Sequence, residues 1–191
     1  MAVIFALAAA AVAACGGAAT TPSTDPAGST APPSAPGFSA DERQLLDGIV
    51  RGAVDCRPVR EELPDRAIAG IECGADDPAV DRIGFYRFEN DDDMLDVYFA
   101  RMIAEGVAPN SGTCGDGEGE GPYWPGGDEV PAREGCFLND FGYANYRATL
   151  PGEHVYIGVL GRTNDMAALE SFAWLGNRDT PGTPTLWAEP R

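Results

Sequence analysis

The chain has 191 residues, 44% of them hydrophobic and 9% aromatic, enough apolar material for one packed domain with accessory segments and too much for a disordered chain. Thirty Asp and Glu oppose 13 basic residues, a formal net charge of −17, and every basic residue is arginine. So acidic a surface repels phosphate backbones and anionic lipid, which argues against nucleic acid as a partner. The lack of lysine removes a Ser-Lys dyad and a phosphate-loop lysine.

Met1 to Ala14 is apolar throughout. As a helix it would span ~21 Å, short of the ~30 Å hydrocarbon core of a bilayer, and it reads as a signal peptide over residues 1–14. Val12-Ala13-Ala14-Cys15 follows, an aliphatic residue, two small residues and a cysteine. This tetrapeptide resembles the bacterial lipobox, in which the cysteine is acylated and becomes the new N-terminus. No Arg or Lys precedes the apolar run, so either the start of the leader is expected upstream or the leader is a weak one. Residues 15–38 are then a lipidated Cys15 and a Gly/Ala/Ser/Thr/Pro linker, unable to bury a core and suited to a mobile spacer. Residues 39–191 form a single globular domain. The expected location is the outer, extracytoplasmic face of the cell membrane, with the membrane itself a partner through the lipid.

Ser39-Ala40-Asp41-Glu42 is a capping box that opens a helix with Leu45, Leu46, Ile49 and Val50 on one stripe, closed by Gly52. Ala67 to Cys73 and Arg82 to Glu89 read as strands, the second apolar enough to be buried on both faces. Asn90-Asp91-Asp92-Asp93 could suggest a metal, yet it precedes Leu95, Tyr98, Phe99 and Met102 at helical spacing. Negative charge at a helix N-terminus explains it better, and Gly106 ends that helix. Val107 to Pro131 is a long Gly-rich acidic stretch. Within it Asp116, Glu118 and Glu120 are the best calcium candidates, although they lack the EF-hand order and a solvated loop explains them better. Tyr123 and Trp124 are the candidate ligand contacts, with pinning of the loop to the core as the rival. Gly135 to Leu138, Tyr143 to Leu150 and Val155 to Leu160 read as three further strands. Thr163-Asn164-Asp165 caps a last helix that carries Met166, Leu169, Phe172 and Ala173 and stops at Gly176. Leu186 and Trp187 are placed to dock the tail.

Five cysteines are odd in number; lipidation of Cys15 leaves Cys56, Cys73, Cys114 and Cys136, which in an exported domain read as two disulfides with three possible connectivities. Cys56–Cys73 and Cys114–Cys136 are expected, because each is local and each falls in one half of a weak repeat: Cys73, strand, Asp93-Met94 against Cys136, strands, Asp165-Met166. A four-Cys zinc site lacks any C-x-x-C knuckle. The expected fold is α+β: an antiparallel sheet of about five strands, three helices mainly on one face, two degenerate ββα-type halves and two disulfides.

Ala69-Gly70-Ile71-Glu72-Cys73, Arg82-Ile83-Gly84-Phe85-Tyr86-Arg87-Phe88 and Asp93-Met94-Leu95-Asp96-Val97-Tyr98-Phe99 resemble the first half of extracytoplasmic domains appended to bacterial serine/threonine protein kinases, which also have stand-alone lipoprotein relatives. Gly135-Cys136, Ala144 to Thr149 and a last helix ending near Trp174 resemble the second half. The chain departs at Glu134-Gly135, where such domains often carry Gly-Arg, and at Ala148, where they often carry Trp. The resemblance implies a sensor or binding module for an envelope ligand or partner protein, not an enzyme.

Catalytic residues and a cofactor are not expected. The only histidine, His154, sits in a Pro-Gly turn, and there is no G-x-S-x-G. The alternative function is an extracytoplasmic carboxylate-dependent hydrolase of envelope polymers.

Overall fold

The computed structural model describes residues 37–49, 51–114, 117–123, 131–174 and 187, all within the compact unit Pro36–Arg191. The leader, Cys15, the linker up to residue 36, Val50, Asp116, Trp124, Gly176 and Leu186 lie outside the described residues.

The elements in chain order are α1 (Ala40–Gly48), β1 (Ala53–Pro58), β2 (Ala69–Ala75), β3 (Val80–Arg87), α2 (Asp91–Ala104), β4 (Gly119–Pro122), β5 (Arg133–Leu138), β6 (Ala144–Leu150), β7 (Val155–Gly161) and α3 (Met166–Trp174). The fold is α+β, with three helices and one antiparallel sheet in the order β1-β2-β3-β7-β6-β5-β4. The sheet has seven strands, not about five. Both unforeseen strands are its edges, where one side of the ladder is unpaired and little apolar surface is buried. β1 reads Ala-Val-Asp-Cys-Arg-Pro, has no fully buried residue and is interrupted by Asp55 at φ 52°. β4 is Gly-Glu-Gly-Pro. Neither carries the alternating or continuous apolar run that marks a strand.

The capping box on α1 forms as read, with Ser39 Oγ accepting from the Glu42 amide and Glu42 Oε2 accepting from the Ser39 amide. The helix stops at Gly48, not Gly52, because Ile49 is extended and bridges Trp187. The Trp187 ring occupies the space a side chain on Gly48 would need, and stacks 5.9 Å from Phe85. Gly52, at φ 77°, instead turns the chain into β1.

Strand alternation sorts the core into two layers. On one face, Leu45 of α1 and Leu169, Phe172 and Ala173 of α3 join Ile71, Ile83, Phe85, Tyr146, Ile157 and Val159. On the other, Met94, Tyr98 and Met102 of α2 meet Phe137 and Tyr156. Each fully buried side chain of this size contributes ~1.5–3 kcal/mol of transfer free energy. The disulfides are Cys56–Cys73 and Cys114–Cys136. Among the described residues no helix is long and apolar enough to cross a membrane.

Candidate functional site

Helix α2 covers only part of its face of the sheet. It sits over β5 to β7, where its Met102 and Tyr98 fill the space above Gly135. The remaining area, over β2, β3 and β7, is bounded on its far side by the connection from β1 to β2. Between them lies a groove of about 1000 Å³. β3 was expected to be buried on both faces; Ile83 and Phe85 are, but Arg82, Gly84 and Tyr86 on the alternate face line this groove.

The floor follows from the register. One cross-strand row runs Arg57, Glu72, Gly84, Gly158, Arg147, Gly135, Glu120 through all seven strands. Adjacent glycines at the centre of a sheet weaken its packing and mark a place where other groups approach the backbone closely. Here large neighbours lie flat over them. A Cβ on Gly84 would stand 2.6 Å from the Tyr86 hydroxyl, and a Cβ on Gly158 would collide with the Arg147 guanidinium. Gly70 makes similar room for the Tyr86 ring and Leu63. The Tyr86 and Tyr156 rings, 6.0 Å apart, line the groove beside this row. Burial raises the Tyr86 phenol above its ordinary value, partly offset by the positive Arg147.

The wall formed by residues 58–65 is anchored at both ends. Arg66 reaches α2 through Asp93 and Asp96, 2.9 Å each, and Arg60 pairs with Glu42 of α1. Glu62 and Arg66 both adopt φ 62°, a left-handed conformation whose cost, about 1–3 kcal/mol, is characteristic of segments shaped for a task. Glu72 on the floor accepts from Arg57 at 2.6 Å and Arg82 at 3.3 Å. Arg101, on the α2 side, pairs with Glu105. Arg147 has no carboxylate partner among the described residues. Its guanidinium donates to Asn145 Oδ1 at 3.0 Å and lies over Phe137 and Tyr156, 5.8 and 6.0 Å from the ring centres.

Of the residues singled out from sequence, those described lie outside this groove. Tyr123 donates from its hydroxyl to the Thr149 carbonyl at 2.6 Å and packs against the first core layer, so it pins the loop, and burial raises its phenol strongly. Glu118 accepts from the Leu138 amide. Glu120, fully buried, is held by Arg133 Nε and Nη2 at 2.7 and 2.6 Å, by the Tyr98 hydroxyl at 3.2 Å and by the Asn110 amide at 2.8 Å. Its oxygens are thus committed within the protein, which leaves the calcium reading of Glu118 and Glu120 without a shared ligand set. The acidic run before α2 works as caps and ties. Asn90 caps through the Asp93 amide, and Asp91 accepts from the Gly152 amide and stands 2.9 Å from His154 Nδ1. Cys114, Glu134 and Glu170 bring potential donor atoms within 4.8 Å of one another, but Cys114 is bonded to Cys136 and offers no thiolate.

The groove was missed because its signal is negative. Isolated glycines in otherwise good strand patterns, Gly70, Gly84, Gly135 and Gly158, were the available clue. Their alignment on one face depends on long-range register that sequence does not show. Compared with known proteins, the chain matches no family model, no curated protein and no solved structure.

Proposed function

We propose that this protein is a membrane-tethered, extracytoplasmic ligand-binding module of the sensor type, held by a lipid on Cys15, and that its ligand sits in the groove beside α2. One observation carries the reading: the groove is concave and of ligand size, with a glycine floor, aromatic and arginine lining, and walls tied down by ion pairs. We also read the domain as two degenerate halves, β1-β2-β3-α2 and β4-β5-β6-β7-α3, joined through β3 and β7. In support, each half has its own disulfide between the edge region and the neighbouring strand.

The hydrolase alternative has less to stand on. Glu72, the carboxylate on the groove floor, is hydrogen-bonded to two guanidiniums rather than left free to reach a scissile bond.

The test is a thermal-shift panel on detergent-extracted full-length protein, using cell-wall peptides, amino sugars and small organic acids. A groove ligand at a hundredfold excess over its Kd should stabilise by about 2.7 kcal/mol. Gly84→Leu, which fills the floor, should lose that response. An equal response in both proteins would place binding elsewhere. Cleavage of a sugar polymer that stops on removing a carboxylate pair, with no ligand shifting either protein, would favour the hydrolase. Independently, Cys15→Ser should move the protein from the membrane fraction to the soluble fraction. Full retention in the membrane would contradict the lipid anchor.

A further inference from the structure

Among the described residues, Arg147 is the one arginine that is withdrawn from solvent yet has no carboxylate partner. It rises from β6 at the middle of the sheet, partly buried, and lies across Gly158, the position where any larger residue would displace it. An arginine carries five N–H donors in a rigid fork. Among the described residues its side chain makes a single hydrogen bond, to Asn145, and the buried Nε has no partner. Buried donors left unsatisfied are costly and rare in folded proteins. The deficit is not for want of acids, since 30 carboxylates face 13 arginines in this chain. The other groove arginines are all paired: Arg57 and Arg82 with Glu72, Arg60 with Glu42, Arg101 with Glu105. Phe137 and Tyr156 hold the plane of the Arg147 guanidinium by cation–π contact, which fixes its orientation and leaves its terminal Nη–H groups, rather than the buried Nε–H, to hydrogen-bond.

Resting on the proposed binding groove, we infer that the ligand carries an oxyanion head, a carboxylate or a phosphate, and that Arg147 is the residue that receives it. A guanidinium fork matches the two oxygens of either group. The Tyr86 ring, laid over the neighbouring Gly84, brings an aromatic surface and a hydroxyl beside that seat. The exposed Glu61, Glu62 and Asp65 at the rim, and the net charge of −17, repel polyanions. The ligand is therefore a small molecule or chain end with one anionic head, not a nucleic acid or an anionic membrane surface.

The test is a titration of full-length protein in detergent with sodium acetate, inorganic phosphate and glucose at constant chloride. It is followed by NMR of the Arg147 Nε–H and of the Gly84 and Gly158 amides. The expected result is a saturable shift of the Arg147 Nε–H with acetate or phosphate in the millimolar range and none with glucose. Whichever anion binds more tightly identifies the head. Arg147→Gln should weaken that anion's binding by at least about tenfold, read from the glycine amides. Should the substitution unfold the protein, the wild-type Nε–H titration decides alone. An Nε–H unmoved by both anions, while another compound from the ligand panel shifts the glycine amides, overturns the oxyanion inference and leaves the binding groove standing. Glycine amides unmoved by every compound overturn both.

Discussion

Glu120→Ala is expected to destabilise the folded domain by about 3–5 kcal/mol, among the largest effects of any single substitution in this protein. Glu120 is the only large side chain of β4, and its flanking glycines are needed for close approach to the 110–113 segment. A Cβ on Gly119 would lie 3.0 Å from the Gly112 carbonyl carbon, and one on Gly121 2.8 Å from its oxygen. Beyond its backbone ladder with β5, the strand is tied in through one buried carboxylate, which gathers Arg133 of β5, Tyr98 of α2 and the Asn110 amide. Burial, then the nearby Glu120 charge and its hydrogen bond, raise the Tyr98 phenol far above its ordinary value, so Tyr98 acts purely as a neutral donor. Removing the carboxylate leaves the Arg133 guanidinium buried and unpaired. Replacing both partners, Glu120→Leu with Arg133→Met, should recover much of the loss, because a well-packed apolar pair avoids the desolvation cost of the ions. Urea unfolding curves measure both effects. A loss below about 1 kcal/mol for Glu120→Ala would mean that the network is solvated, contrary to the structure.

Replacing either disulfide by a serine pair should cost about 3 kcal/mol, from loops closed across 17 and 22 residues. Their consequences should differ. Cys114 and Cys136 are buried, whereas Cys56 is only partly so, on an edge strand with few apolar contacts. The Cys56–Cys73 bond should therefore be reduced first under native conditions. Its loss should loosen β1 and the adjoining 58–65 wall of the groove before it unfolds the sheet. Unfolding midpoints of the two serine pairs, with mass spectrometry of alkylated cysteines during slow reduction, check this. Faster reduction of Cys114–Cys136 would contradict the assignment of the labile edge.

Much of the frame was legible in the sequence, for reasons that are local. The Ser39–Glu42 box, the acidic first turn of α2, the five strands with strong apolar runs and the two short-range disulfides each depend on residues close in the chain. The edge strands were not legible, because an edge needs little apolar surface and β4 has none. Nor was the groove. Tyr123, a candidate ligand contact in the sequence, bonds through its hydroxyl to the Thr149 carbonyl and lies away from the groove. Arg147 was one arginine among 13 until the β6–β7 register set it over Gly158, away from every described carboxylate. A binding site that spans strands from both halves of the chain is created by pairing, and pairing is the least local fact about a sheet.

The central claim is that ligand recognition occurs on the α2 side of the sheet, over the Gly84–Gly158 pair. Amide NMR of the full-length protein, titrated with a compound that raises its melting temperature, addresses it most directly. The account predicts that the largest shifts fall on Gly84, Tyr86, Arg147 and Gly158 and that Gly84→Leu abolishes them. Shifts confined to Glu118, Tyr123 and the strand around Thr149, with the groove amides silent, would contradict it.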